Sequence, residues 1–295
     1  MSKRQSAPWT ILRVLKWAEG YLQQQGISES WAAASLLLAH CLECTRLDLY
    51  LRYDKPLTAE ELACYKRLLR RRLAHEPTQY ITGQQEFWSL DFIVNPAVLI
   101  PRPETELIVE AVIRQVRNHP ESGPWHQLLD VGTGSGVLAV ALAKELPDVH
   151  VMALDASPAA LAVARLNSER HGVQDRVTCV PGDLLATLDP QRRFDIIVAN
   201  PPYVPTTDWE RLPPEIRDHE PRLALDGGPD GLEVIHRLVH QVPPFLRSGG
   251  FLALEVGQGQ AESVVQLLEA TQAFASSSII PDYQHIGRVV TAVRR

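Results

Sequence analysis

Asn200-Pro201-Pro202-Tyr203 follows an apolar strand-like run, Phe194 to Ala199, and the chemistry of that tetrapeptide is narrow. A planar –NH2 group, whether a carboxamide or the exocyclic amine of a base, is a poor nucleophile because its lone pair is delocalised into the π system. A site that alkylates it must hold both N–H bonds and leave the lone pair facing an electrophile. An Asn side-chain oxygen and a backbone carbonyl can accept one N–H each. Two prolines stiffen the turn and offer no competing N–H, and an aromatic ring can lie over the flat group. Asn200, Pro201 and Tyr203 are therefore candidate catalytic residues, and Asn200, Pro201, Pro202 and Tyr203 together a candidate substrate cradle. Taken alone, the same four residues also read as a Pro-rich loop with a packed tyrosine.

Upstream, Gln127 to Val131 is a short apolar strand candidate that runs into Gly132-Thr133-Gly134-Ser135-Gly136. From Val137 to Leu146 the spacing and the residues favour a helix. A strand, a glycine turn and a helix open a nucleotide-binding α/β fold, with the glycines allowing close backbone approach and positive φ. The spacing is G-x-G-x-G with an acidic residue two positions before it, unlike the dinucleotide pattern G-x-G-x-x-G. It suits a ligand with an amino-acid tail and no pyrophosphate. A second strand candidate, Val149 to Asp155, ends in a carboxylate 19 residues after Gly136, where an acidic side chain can accept both ribose hydroxyls. Ser157 and Pro158 fit the cap and first position of the next helix. A third strand, Arg176 to Pro181, leads to Gly182-Asp183-Leu184, where Asp183 can accept from an adenine amine and Leu184 can pack on the ring.

In that order, these pieces resemble a class I S-adenosylmethionine-dependent methyltransferase acting on a planar nitrogen. The cofactor-binding candidates are Gly132, Thr133, Gly134, Ser135, Gly136, Asp155, Asp183, Leu184 and Asn200.

The elements that must position them divide the chain. With 295 residues, two domains are the prior. Residues 1–78 read as helices only: Trp9 to Gln25; Trp31 to Cys44 with Ser28 or Ser30 as cap; Asp48 to Arg52; and Ala59 to Ala74 capped by Thr58 with Glu61 completing a capping box. Residues 79–105 read as a β-hairpin linker, alternating from Gln79 to Asn95 and turning near Gly83 or Ser89. Residues 106–295 form the α/β domain, opened by a helix over 106–118. Charge divides similarly: residues 1–80 hold 12 basic and 8 acidic side chains, net +4, leaving 17 and 27, net −10, elsewhere. The run Lys66 to Arg72 is a solvated helix face or a docking surface for an acidic macromolecule.

Composition excludes several classes. The 45 % hydrophobic and 22 % charged content is that of a globular chain. The longest nearly apolar stretch, Trp31 to Leu42, is too short to span a bilayer, and Met1 to Ser6 lead into no secretory signal. Cys41 and Cys44 lie in an apolar helical run with no second pair, which favours buried reduced thiols over zinc or redox chemistry. His150, His219 and His236 lack metal-ligand spacing, so no metal is required.

Over almost its whole length the chain resembles the peptide chain release factor glutamine methyltransferase (PrmC/HemK) family. Further segments carry the likeness: Glu76 to Gly83 with Phe87-Trp88, Ile100 to Glu106, Glu220-Pro221, Ala224 to Gly228, Asp230-Gly231-Leu232, Glu255-Val256-Gly257 and Gly287-Arg288-Val289. The resemblance implies a Rossmann-like sheet of seven strands with the last antiparallel, preceded by the small helical domain and the hairpin. It also implies S-adenosylmethionine as cofactor, and as substrate the glutamine of the Gly-Gly-Gln motif of class-one release factors. In that family the position of Leu184 can be aromatic. The expected setting is cytoplasmic, with no membrane or direct nucleic-acid partner, and nothing demands more than a monomer. An adenine amino methyltransferase acting on DNA or RNA is the alternative, opposed by the acidic α/β domain. A non-catalytic binding module is opposed by the intact Asn-Pro-Pro-Tyr, and a nicotinamide-linked oxidoreductase by the glycine spacing.

Overall fold

The computed structural model describes residues 8–119 and 125–295; Met1 to Ser6, where no secretory signal is expected, lie outside them. The chain forms two compact units, one running to Gly83 and including Pro214–His219, the other made of Gln84–Pro213 and Glu220–Arg295.

The first unit is helical. Helix α1 (Ile11–Gln24) is capped by Thr10 and buries Ile11, Val14, Leu15, Ala18 and Leu22, one stripe at helical spacing. Helix α2 (Ser30–Cys41) is apolar on nearly every side and buries Leu37 and Leu38 completely. The serine cap expected for it is not formed: Glu29 occupies the cap with left-handed φ 49° and no side-chain bond. Helix α3 (Arg46–Leu51) begins with a capping box between Thr45 and Asp48, and α4 (Ala59–Leu73) with the expected one between Thr58 and Glu61. Next, Thr78–Thr82 is a helical turn, α5, ended by Gly83 at φ 76°, so the hairpin starts later than its alternating residues suggest. The run Lys66 to Arg72 divides in use. Lys66, Arg67 and Arg70 face solvent, Arg71 grips Glu76 with two bonds, and Arg72 is buried in an ion pair with Glu215. Glu215 comes from α9 (Pro214–Arg217) in the segment that this unit takes from far along the chain. Cys41 and Cys44 are half-buried rather than buried, because α2 stops at Cys41 and leaves Cys44 in the following turn. Desolvation, with a hydrogen bond donated by its S–H to Cys64, pushes the Cys41 thiol up to about 12.

The second unit opens with a hairpin of β1 (Gln84–Phe87) and β2 (Leu90–Ile93), turning at Trp88 and Ser89 with φ 52° and 56°. Two consecutive positive φ values match the right-handed twist of the strands. Helix α6 (Glu106–Asn118) follows, then β3 (Gln127–Val131), α7 (Val137–Glu145), β4 (His150–Asp155), α8 (Pro158–Arg170), β5 (Val177–Pro181) and β6 (Phe194–Ala199). After the 200–232 connection come α10 (Glu233–Gln241), β7 (Leu246–Glu255), α11 (Ala261–Ala270), β8 (Phe274–Pro281) and β9 (Gly287–Arg294). The sheet order is β5-β4-β3-β6-β7-β9-β8, all parallel except β9, which is antiparallel to both neighbours. This is the expected seven-stranded mixed sheet with its last strand reversed.

Consecutive strand residues point to opposite faces. Leu128 and Ile196 join one core with Ile108, Leu138 and Leu142, while Leu129 and Ile197 join the other with Leu238, Leu252 and Val264. Both faces are therefore covered, which is why these strands read as continuous apolar runs. Each such side chain stabilises the fold by roughly 1.5–3 kcal/mol on burial. The connection order reverses between β3 and β6, and in such sheets a crevice opens beyond the carboxyl ends of the strands at that point. Among the described residues no helix is long and apolar enough to cross a membrane.

Candidate functional site

The ends of β3, β4, β5 and β6 converge on that crevice. Beyond β3 the chain turns on Gly132, Gly134 and Gly136, at φ 71°, 56° and 82°. Gly132 and Thr133 both donate their N–H to Leu154 O, at 2.8 and 2.9 Å, which fastens the turn to β4. Gly136 is constrained twice, since a Cβ there would lie 3.1 Å from the Ala164 Cβ of α8. Asn167 locks the arrangement by donating to Ser135 O at 2.8 Å and Ile93 O at 3.0 Å.

At the end of β3, Asp130 is 1 % exposed. Its Oδ2 accepts from the Thr133 hydroxyl at 2.6 Å and the Ala139 N–H at 3.2 Å, while its Oδ1 has no partner. Burial pushes its carboxyl up to about 7, opposed by those two bonds and reinforced by nearby Asp155. Asp155, ending β4, accepts from Gly134 N and Ser157 N, each at 2.8 Å, one on each oxygen. Each oxygen keeps a further lone pair. Ser157 caps α8 as expected, accepting from Ala160 N.

The residues line a cavity of about 370 Å³ that includes Asp130, Gly132, Thr133, Gly134, Ser135, Asp155, Asp183, Leu184, Asn200 and Pro202. Gly136, Pro201 and Tyr203 do not line it. Asp183 is exposed and paired with Arg237 at 2.5 Å, so an adenine amine would share that carboxylate with a guanidinium. Leu184 takes φ 50°, a left-handed position at the cavity wall.

The Asn-Pro-Pro-Tyr turn is anchored from behind. Tyr203 packs on the core, donates its hydroxyl to Glu255 Oε1 at 3.2 Å and accepts at its backbone oxygen from Gln260 Nε2 at 3.0 Å. The Asn200 Nδ2 donates to Thr105 Oγ1 at 3.0 Å, and Thr105 donates to Glu255 Oε2 at 2.6 Å. Glu255, ending β7, is 2 % exposed. Desolvation pushes its carboxyl up to about 7; the bonds from Thr105 and Tyr203 pull the other way. The loop carrying Thr105 is held in turn by buried Glu220, which accepts from Ile100 N at 3.1 Å and Arg102 Nη2 at 2.5 Å. Pro101 and Pro221, beside those anchors, line the cavity.

The sequence alone singles out the glycine turn, Asp155 and Asn200, which the fold brings to one cavity, but not Asp130, Thr105, Glu220 or Glu255. Asp130 was visible as the acid two residues before the turn; Thr105 and Glu255 are 150 positions apart and no local pattern links them. The donor and acceptor set fits a nucleoside with an amino-acid tail. Asp155 offers free lone pairs for a diol, and unpartnered Asp130 Oδ1 offers an acceptor for an ammonium. The positive-φ glycines leave room for the tail itself. Among the described residues no cluster of His, Cys, Asp and Glu could hold a metal ion.

Residues 13–83 match the PrmC N-terminal domain and residues 91–211 the methyltransferase small domain. The chain is 47 % identical over 282 residues to the release factor glutamine methyltransferase of Geobacter sulfurreducens, covering 96 % of each chain. It is 43 % identical over 286 residues to that of Moorella thermoacetica, covering 97 % of this chain and 99 % of the other. Among solved structures, the hMettl16 catalytic domain in complex with a MAT2A 3′UTR hairpin is similar at TM-score 0.57 and 14 % identity, covering 93 % of this chain and 90 % of that one. That likeness concerns the fold alone. The chain belongs to the release factor glutamine methyltransferase family.

Proposed function

We propose that this enzyme transfers a methyl group from S-adenosylmethionine to the side-chain amide nitrogen of the glutamine in the Gly-Gly-Gln motif of class-one peptide chain release factors. The full-length similarity to release factor glutamine methyltransferases carries the reading, and the placement of Asn200 on the cavity wall gives it a mechanism. The cofactor supplies an electrophilic methyl on a sulfonium. Gly132 to Gly136 and Asp155 would hold it, with Asp130 Oδ1 available to its ammonium and Asp183 and Leu184 at its adenine end. Asn200 Oδ1 and the Pro201 carbonyl accept the two amide N–H bonds of the substrate, so that the nitrogen lone pair faces the methyl. Pro202 and Tyr203 shape the same turn.

Transfer would form the N–C bond as the C–S bond breaks with its electron pair left on sulfur, and the substrate nitrogen would then yield one proton to water. Positioning and preorganised dipoles supply most of the rate, and no strong base is required because the methylated, transiently cationic nitrogen is very acidic. The protein substrate is engaged by a single copy of the chain, in the cytoplasm, without direct nucleic-acid contact. Methylation of adenine in nucleic acid is not favoured, since the likeness to an RNA-bound enzyme lies in the fold alone.

Labelled S-adenosylmethionine offered with a release factor or with nucleic acid should mark only the release factor, on that glutamine. Asn200→Ala should retain cofactor binding and lose at least about 100-fold in turnover. Label in nucleic acid, or near-parental turnover by that variant, would overturn the assignment.

A further inference from the structure

One buried carboxylate holds both side chains that bracket the Asn-Pro-Pro-Tyr turn. Glu255 reaches Tyr203 directly through one oxygen and Asn200 through Thr105 with the other. Above about pH 7, where Glu255 is ionised, the polarity of this chain is determined. An ionised carboxylate only accepts, and a threonine hydroxyl has a single proton. At 2.6 Å that proton is committed to Glu255 Oε2, leaving Thr105 Oγ1 with lone pairs alone for its other neighbour. Asn200 must therefore present its NH2 to Thr105, as the 3.0 Å contact has it. Because the carboxamide is planar, its oxygen is then turned away from Thr105. Which way an amide lies is fixed by such a network and not by its shape, since oxygen and NH2 are nearly isosteric.

We propose that Glu255, acting through Thr105, is a positioning residue that sets which face of the Asn200 carboxamide meets the substrate, while seating Tyr203 with its other oxygen. It touches neither substrate nor cofactor. The inference rests on the reading of Asn200 Oδ1 as an acceptor for the substrate amide and extends the site to two residues that the tetrapeptide does not contain. With a donor in place of Glu255, the Thr105 proton is released toward Asn200. The carboxamide then accepts from Thr105 and turns its NH2 to the incoming N–H bonds. A clamp in that state repels the group it should hold, although every residue of the turn is unchanged.

Glu255→Gln provides that donor at constant shape, and Thr105→Val removes the relay at constant volume. Each variant is assayed with a recombinant class-one release factor for kcat and KM, with calorimetric titration of S-adenosylmethionine and a thermal melt. Both should lose about 30- to 100-fold in kcat with cofactor affinity within twofold of the parent; Glu255→Gln should melt no lower than the parent, whereas Thr105→Val melts lower because it strips a bond from buried Glu255. Thr105→Ser, which keeps the hydroxyl, should recover turnover to within about threefold. Combining Glu255→Gln with Asn200→Ala should add little to the loss of Asn200→Ala alone, because both act on one interaction.

A merely structural role would appear as a lower melting temperature in Glu255→Gln and weaker cofactor binding in both variants, and it would overturn the proposal. Near-parental kcat in Glu255→Gln or Thr105→Val, with Asn200→Ala inactive, would overturn this inference and leave the clamp standing. Near-parental kcat in Asn200→Ala would remove the clamp itself.

Discussion

Replacing Asp130 by asparagine separates what this carboxylate costs the fold from what it gives the ligand. The side chain is 1 % exposed, and burial moves its carboxyl from an ordinary 3.8 to about 7. A tenfold change in proton affinity corresponds to ~1.4 kcal/mol. Holding the charge above pH 7 therefore costs the folded chain about 4 kcal/mol relative to a neutral group in the same place. The folded chain binds more protons than the unfolded one between pH 3.8 and about 7. Stability consequently falls as pH rises through that window and is level above it.

Asparagine has the same outline and no charge, and its oxygen can keep the bonds from Thr133 and Ala139. Asp130→Asn should melt several degrees above the parent at pH 8. At pH 5 the advantage should shrink to about 1.5 kcal/mol. Affinity for S-adenosylmethionine should move the opposite way, weakening about 10- to 100-fold, because an NH2 group now faces the ammonium that Oδ1 was free to accept. Scanning calorimetry across pH 5–8 and isothermal titration with cofactor read the two effects separately. A variant that melts below the parent at pH 8, or binds cofactor as tightly as the parent does, would refute the reasoning.

Two further outcomes follow from geometry. Gly136→Ala combines φ 82° with a Cβ 3.1 Å from Ala164 and should lose about 1–3 kcal/mol in a denaturant melt; an unchanged midpoint would mean that α8 yields freely. Arg72→Ala leaves Glu215 without its buried partner and should lose roughly 2–3 kcal/mol, below the figure for a fully buried pair because Glu215 keeps 24 % of its side chain exposed. Arg72→Met with Glu215→Leu should recover most of that loss, and failure to recover would place the effect elsewhere.

Chemistry that depends on neighbours in sequence was legible in advance. The glycine turn, the Ser157 cap and the Thr58–Glu61 box each satisfy backbone groups within a few residues, so their spacing shows on the page. The hairpin starts later than the alternation from Gln79 suggests, because Thr78–Thr82 coils into one turn that Gly83 ends in the left-handed region. The α2 cap failed for a related reason: two serines were available, but the backbone enters through Glu29 in a conformation that needs neither. Pairings across long stretches of chain were not legible, even where the segments themselves stood out. Thr105 with Glu255, Ile100 with Glu220 and Arg72 with Glu215 become partners only once the sheet and helices have brought them together.

The sheet's odd strand has a consequence for how the molecule is made. β8 precedes β9 in sequence, yet in space β9 lies between β7 and β8. During vectorial synthesis, the half that lines the cavity, β3 to β6, can zip together while β7 offers a bare margin and β8 has no partner. Only when residues 287–294 arrive does one segment fill both gaps. Deleting it would not fray a border; it would split the sheet in its interior and expose two adhesive rims at once.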